Sequence, residues 1–174
     1  MVNPHPGPLE RDRPLILEHL FAGSALCTVS GEGCLVLPDF ARAVLARRSD
    51  SSQVTFGRHE ADPCLIAYDR PHARLIYADL ERRRLAAPDR GSHSPRRAFG
   101  QAEEASLDRS GMVSIPAMLR DMGRIRSSAL LVGAGGTFEI WNPQVALESG
   151  DKFLSEMAAW RLDHQFPTDQ EDLA

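Results

Sequence analysis

Lysine is almost absent from this chain of 174 residues, in which Lys152 is the only lysine and arginine supplies the other basic side chains. Arginine is the better residue for bidentate contacts with phosphates and bases, although an arginine-rich genome produces the same bias. Acidic residues outnumber basic ones by 24 to 20. The resulting net charge of −4 argues against a domain that coats nucleic acid indiscriminately, because such binding neutralises many phosphates. A localised basic face remains compatible with this composition.

Long apolar runs and paired cysteines are also missing. No stretch approaches the ~20 consecutive apolar residues that span a bilayer, and residues 1–8 are rich in proline without an apolar signal region. The three cysteines, Cys27, Cys34 and Cys64, are odd in number and form no C-x-x-C pair. We therefore expect a cytoplasmic protein with reduced cysteines and no membrane partner.

Motifs that carry catalysis are absent as well. The sequence contains no G-x-S-x-G, no H-E-x-x-H, no P-loop and no G-x-G-x-x-G that opens a helix. His59, Cys34 and Cys64 match no known zinc spacing, so buried structural cysteines are the better interpretation. We expect no catalytic residues, no cofactor, no metal site and no small-molecule substrate, and hence a protein that assembles and binds.

An internal repeat is the most informative feature that is present. Residues 29–42 and 107–120 align at a constant offset. The aligned pairs are Gly33 and Gly111, Leu35 and Val113, Leu37 and Ile115, Pro38 and Pro116, and Arg42 and Arg120. Each copy predicts a strand, a tight glycine-containing turn, a second strand with alternating apolar residues, and a helix that opens at proline. The recurrence of Arg42 and Arg120 predicts a structural pairing inside each repeat.

Helices and a second hairpin complete each copy. The apolar faces of the predicted helices are Phe40, Val44 and Leu45 in the first, Met118, Leu119 and Met122 in the second, and Leu75, Ile76 and Leu80 in a helix from Pro71 to about Leu85. The second hairpins end in Tyr68 and Trp141, after which Asp69 and Asn142 are placed to cap a helix. The arginine runs at 82–84 and 96–97 are more typical of solvated helix surface than of a ligand site.

These elements predict a mainly β fold with helices, of the α+β class. The predicted organisation is a flexible extension at 1–20, a first repeat at 21–86, a linker at 87–98, a second repeat at 99–162 and a tail at 163–174. Hairpins this short cannot bury their apolar faces alone, so the two copies are expected to pair their strands into one closed or interleaved barrel. The chain would then be a pseudo-dimer.

The residues of the second copy resemble a known family. The run at 106–116, SLDRSGMVSIP, followed by LVG at 131–133 and FEIWNP at 138–143, closely resembles MraZ transcriptional regulators, which carry two AbrB-like swapped-hairpin repeats. The resemblance covers roughly residues 21 to 160. It implies a double-split β-barrel, a ring-like homo-oligomer and a nucleoid-associated protein. It also implies binding to promoter DNA upstream of the division and cell-wall gene cluster, usually as a repressor.

The DNA-contact turn of that family is an Asp-x-x-x-Arg motif, whose arginine contacts DNA and whose aspartate orients it. The resemblance places six residues at the two turns of this chain: Ser30, Glu32 and Cys34 in the first, and Asp108, Arg109 and Met112 in the second. Cys34 and Met112 stand where the family has arginine, and neither supplies a charged bidentate contact. Arg109 can grip phosphate in their place.

This departure leaves two interpretations open. In the first, the chain is a DNA-binding regulator with atypical contact turns. In the second, it is a ring-forming interaction protein of the same fold that has lost specific DNA binding.

Overall fold

The strands and helices follow the repeat in the computed structural model, which describes residues 17–49, 52–87 and 94–165. Within these residues the chain forms eight strands and six α-helices, preceded by a 3-10 turn at Leu17–His19. The strands are β1 (Ser24–Thr28), β2 (Cys34–Val36), β3 (Gln53–Arg58), β4 (Leu65–Tyr68), β5 (Glu103–Ser106), β6 (Met112–Ser114), β7 (Ser128–Ala134) and β8 (Thr137–Trp141). The helices are α1 (Asp39–Arg48), α2 (Arg70–Ala86), α3 (Pro95–Phe99), α4 (Ala117–Met122), α5 (Pro143–Leu147) and α6 (Lys152–Gln165).

The two copies interleave their strands. A six-stranded sheet has the order β1-β7-β8-β4-β3-β5, and β2 pairs with β6 in a separate ladder. β1 of the first copy pairs with β7 of the second, and β5 of the second pairs with β3 of the first. Every pairing among the described residues is antiparallel. The fold is therefore α+β with an antiparallel sheet shared by both copies.

The double-split β-barrel that the resemblance implies remains a prediction, and no closed barrel is seen in the described part of the chain. There β1 and β5 lie at the two edges of the six-stranded sheet. The strands β2 and β6 contain three residues each and pair with each other, so they do not join those edges into a ring.

Apolar side chains form a cluster on each face of the six-stranded sheet. Successive side chains of a strand point to opposite faces, so Leu131 enters the larger cluster and Leu130 the smaller one. The larger cluster also takes the inward residues of β2 and β6, Leu35 and Val113. The smaller cluster packs Trp141 against residues of α5 and α6. Both faces of the sheet are thus covered. On the face of the larger cluster, β2 and β6 form the cover.

The helix starts confirm the predicted caps. The Asp69 side chain accepts the amide of His72 at the start of α2, and the Asn142 side chain accepts the amide of Gln144 at the start of α5. These contacts satisfy amides that have no partner inside the helix. Of the helices in the described ranges, none is long and apolar enough to span a membrane.

Three residues predicted to lie on buried helix faces are instead exposed: Met118, Met122 and Leu75. The prediction was wrong for α4 because this helix has only six residues and reaches the core through Leu119 alone. On α2 the buried position is Leu80. Helical spacing gives the direction of a side chain, but only the neighbouring elements decide whether it is covered.

The predicted segment boundaries remain a prediction. Helix α3 begins within the predicted linker at 87–98, and α6 continues to Gln165 in the predicted tail. The 3-10 turn lies at the end of the predicted extension. The remaining parts of those segments, at 1–16, 88–93 and 166–174, lie outside the described residues.

A buried ion pair within the first copy shares its arginine with the second copy. Asp69 is completely buried and contacts the Arg48 guanidinium at 2.9 Å. Arg48, at the end of α1, also donates to the carbonyl oxygen of Gly136, between β7 and β8, at 3.0 Å. One side chain therefore connects α1, the start of α2 and the second hairpin of the other copy.

We predict that Arg48→Met lowers the free energy of unfolding by about 3–5 kcal/mol, because it leaves the buried Asp69 carboxylate without its cation. Arg74→Met, at an exposed position of α2, should change it by less than about 0.5 kcal/mol. Urea unfolding followed by circular dichroism measures both. Equal losses for the two variants would contradict the role given to Arg48.

Candidate nucleic-acid interface

The strands β2 and β6, with the turns at 30–33 and 108–111 that precede them, form a surface that we call the ribbon. Its register pairs Cys34 with Ser114 and Val36 with Met112. Because strand side chains alternate, these four residues share the outer face, where Val36 is 45% and Met112 42% exposed. The strands are antiparallel, so the two turns lie at opposite ends of the ribbon.

Both turns have the same backbone geometry. Gly33 and Gly111 have φ values of 87° and 83°, a left-handed conformation that favours glycine. In the first turn the Gly33 amide donates to the carbonyl oxygen of Ser30 at 2.9 Å. In the second, the Gly111 amide donates to the carbonyl oxygen of Asp108 at 3.0 Å. The repeat thus keeps its turn although the residues at the tips differ.

Ser30 and Asp108 perform the same local task. The Ser30 hydroxyl accepts the Cys34 amide at 3.1 Å, and the Asp108 carboxylate accepts the Met112 amide at 2.9 Å. Asp108 also accepts the hydroxyl of Ser110 at 2.6 Å. These bonds, the Ser110 hydroxyl first, hold the pKa of the Asp108 carboxyl below its ordinary value. In this chain the aspartate therefore orients the backbone of the turn, and serine replaces it in that task.

Two arginines brace the turns from the opposite copy. Arg42 of α1 donates to the carbonyl oxygen of Ser110 at 3.3 Å, and Arg120 of α4 donates to that of Gly31 at 3.1 Å. A pairing of these arginines inside each repeat was predicted, and Arg42 does contact Asp39 of its own helix, but the bonds to the turns were not foreseen. The bonds cross between the copies because the strands are interleaved, so that each helix lies beside the other copy's turn.

The crossed arginines also explain the glycine at each turn. A β-carbon at Gly33 would collide with the Arg120 guanidinium, and one at Gly111 would collide with the Arg42 side chain. The left-handed φ thus favours glycine at both turns, and a β-carbon there would also displace the arginine of the other copy.

The two ends of the ribbon differ in charge. Glu32 and Arg109 are both exposed at the tips of their turns. Within the described residues, neither forms an ion pair or hydrogen bond with another side chain. One end of the ribbon therefore offers a free carboxylate and the other a free guanidinium, and the second turn is the one suited to a phosphate.

The structure places all six predicted site residues on the ribbon, and it brings Cys34 and Met112 onto one face. Sequence reasoning did not identify Val36 and Ser114 as their neighbours on that face. The alternation of apolar residues in each copy was the signal that could have found them, since the strand residue on either side of an inward one points outward.

A second polar cluster lies at His59, Asp62 and Glu139, whose ligand atoms are all within 4.8 Å of one another. The Nδ1 atom of His59 accepts the amides of Ala61 and Asp62, at 3.2 and 2.9 Å. The ring proton of the neutral form therefore sits on Nε2, which faces Glu139 at 3.8 Å.

Two backbone amides thus occupy the Nδ1 lone pair of His59, whereas its Nε2 lies beyond hydrogen-bond distance of Glu139. Glu139 itself accepts the indole N–H of Trp141 at 2.7 Å. The nearby thiol of Cys64 is buried, and this burial, with the charges of Glu139 and Asp62, raises its pKa. Cys64 therefore stays a neutral thiol beside this cluster.

Fold and site together define a duplicated α+β protein whose candidate interface is an exposed pair of strands. No family model matches the chain. The transcriptional regulator MraZ of Bordetella pertussis is 31% identical over 123 residues, which cover 71% of this chain and 82% of the relative. The MraZ proteins of Marinobacter nauticus and Halorhodospira halophila are each 27% identical, over 88% and 89% of this chain and 97% and 99% of the relatives.

This chain belongs to the MraZ family of transcriptional regulators. The relatives are named as regulators and not as enzymes, which agrees with the prediction that the chain is not an enzyme.

We predict that Gly33→Ala lowers the free energy of unfolding by about 1–3 kcal/mol, because alanine is strained at a left-handed φ and displaces Arg120. Gly31 belongs to the same turn, and a β-carbon there would meet nothing within 4 Å. Gly31→Ala should therefore change stability by less than about 0.5 kcal/mol. Thermal and urea unfolding compare the two, and a Gly33→Ala protein as stable as Gly31→Ala would refute the bracing.

Proposed function

We propose that this protein is a DNA-binding transcriptional regulator whose ribbon faces the DNA. We further propose that it represses the promoter upstream of the division and cell-wall gene cluster. The proposal rests on the shared geometry of the two turns. Ser30 and Asp108 hold the turns in the same shape, and Arg42 and Arg120 brace them from the other copy. The names of the relatives, transcriptional regulators, support the same function.

The proposed contacts follow from the residues on the ribbon. A two-stranded β-ribbon fits the major groove of DNA. The free guanidinium of Arg109 is placed to grip phosphate, a contact that orients a protein on DNA without reading sequence. On the outer face, Val36 and Met112 can pack against thymine methyl groups, which apolar side chains recognise.

We propose that copies of the chain assemble into a ring at the nucleoid in the cytoplasm and present several ribbons to repeated sites. Linked ribbons raise the effective concentration of each contact, so a weak contact per copy can still give specific binding. A base contact that is missing from every copy weakens binding by the same multiplied effect. Each missing base contact costs about 1–3 kcal/mol per copy.

The alternative is a ring-forming interaction protein that has lost specific DNA binding. One observation favours it: Val36 and Met112 face each other across the ribbon and are both more than 40% exposed. An apolar pair on an outer face is typical of a protein contact, in which charged residues are depleted at the centre.

The test is a titration of labelled DNA from upstream of the protein's own gene, at low and moderate salt, against a scrambled DNA of equal length. The natural protein should prefer its own DNA at moderate salt. Arg109→Ala should weaken binding to both DNAs alike and reduce the salt slope by about one per turn engaged. Arg74→Ala, at an exposed position of α2, serves as the matched control and should bind as the natural protein does.

The double variant Cys34→Arg, Met112→Arg separates the two functions. Under the regulator proposal it should tighten specific binding by about tenfold or more, since each restored base contact is worth about 1–3 kcal/mol. If only the double variant binds specifically, the natural chain is the interaction protein. If neither binds, the ribbon does not face DNA. Light scattering on the same samples tests the ring, and a monomer at micromolar concentration would contradict it.

A further inference from the structure

A cavity of about 780 Å³ lies away from the ribbon, between α2, α3 and the strands β3, β4 and β8. Its lining contains the apolar side chains of Ile66 on β4 and of Ile76 and Leu80 on α2. A volume of this size is typical of pockets that hold a small molecule. No residue of the ribbon belongs to its lining.

Tyr68 lines this cavity and adds a hydroxyl to its mostly apolar side chain. The residue is 1% exposed, and its ring packs against that of His72 at 6.1 Å between centroids. Among the described residues, no hydrogen bond engages its hydroxyl. Burial raises the pKa of Tyr68, so the hydroxyl keeps its proton and is available as a donor. The hydroxyl is therefore a neutral donor that an acceptor group of a ligand in the cavity can engage.

Four arginines and three acidic residues line the cavity, so positive charge is in excess. Asp79 and Glu60 contact Arg83 at 2.6 and 3.7 Å, and Glu139 accepts the Trp141 indole N–H while it keeps its charge. Three further arginines line the cavity, Arg58, Arg96 and Arg97. Within the ranges that the structure describes, these three form no ion pair.

We propose that this cavity binds a small anion with an apolar body. A carboxylate or phosphate group would accept hydrogen bonds from the arginines and from the Tyr68 hydroxyl, and the hydrocarbon part would lie on Ile66, Ile76 and Leu80. The run at 96–97, whose sequence is typical of solvated helix surface, is in this setting part of a binding site. The ligand is a bound effector and not a substrate, and the site is independent of the proposed DNA contact.

The test is calorimetric titration of the full-length protein with octanoate and with octyl phosphate, and with octanol as the uncharged probe of equal length. At least one of the two anions should bind saturably. The anion that binds more tightly shows whether the site prefers a carboxylate or a phosphate head group. Octanol should bind at least about tenfold more weakly, because it lacks the charge that the arginines recognise.

Variants locate the site. Tyr68→Phe and the double variant Arg96→Ala, Arg97→Ala should each weaken binding of the preferred anion by about tenfold, since each removes a hydrogen bond to a charged group. Arg74→Ala lies on α2 outside the lining and should bind as the natural protein does. Arg96 and Arg97 are exposed, so the double variant tests the site even if Tyr68→Phe affects folding. The proposal is overturned if neither anion binds saturably, if octanol binds as well as the anions, or if the double variant binds like Arg74→Ala.

Discussion

The ribbon depends on an exchange of arginine contacts between the two copies of the repeat. Arg42 and Arg120 each donate to a backbone carbonyl in the turn of the other copy. Two backbone hydrogen bonds also cross between the copies. The Leu37 amide donates to the carbonyl oxygen of Gly111, and the Ile115 amide donates to that of Gly33. Neither copy alone supplies all the contacts that hold its turn. The fold therefore requires both copies and the interleaved sheet that brings them together.

This arrangement separates the shape of the interface from its chemistry. The turns are held by backbone bonds, by Ser30 or Asp108 and by the crossed arginines. None of these involves the side chains of Cys34 and Met112, which point outward from the ribbon. Side chains at these two positions can therefore change without loss of the fold.

Local features were predictable from the sequence because neighbouring residues determine them. The turns needed glycine, the capped helix starts needed Asp69 and Asn142, and alternation gave the inward residues of β2 and β6. Features that depend on distant elements were not predictable. The open sheet, the exposure of Met118 and Met122 and the crossing of Arg42 and Arg120 all follow from how the copies pack. The cavity beside Tyr68 arises because α3 lies over the sheet, and no local pattern places it there.

Hydrogen exchange of the Leu37 and Ile115 amides in Arg42→Ala and Arg120→Ala tests the bracing most directly, because these amides bond to the two braced turns. Arg42→Ala should speed exchange at Leu37, whose acceptor is Gly111, by about tenfold, the loss expected for a hydrogen bond from a charged group. Arg120→Ala should do the same at Ile115. Amides of the β3–β4 hairpin should keep their rates. Unchanged rates at Leu37 and Ile115, or an equal rise in all strands, would contradict the account.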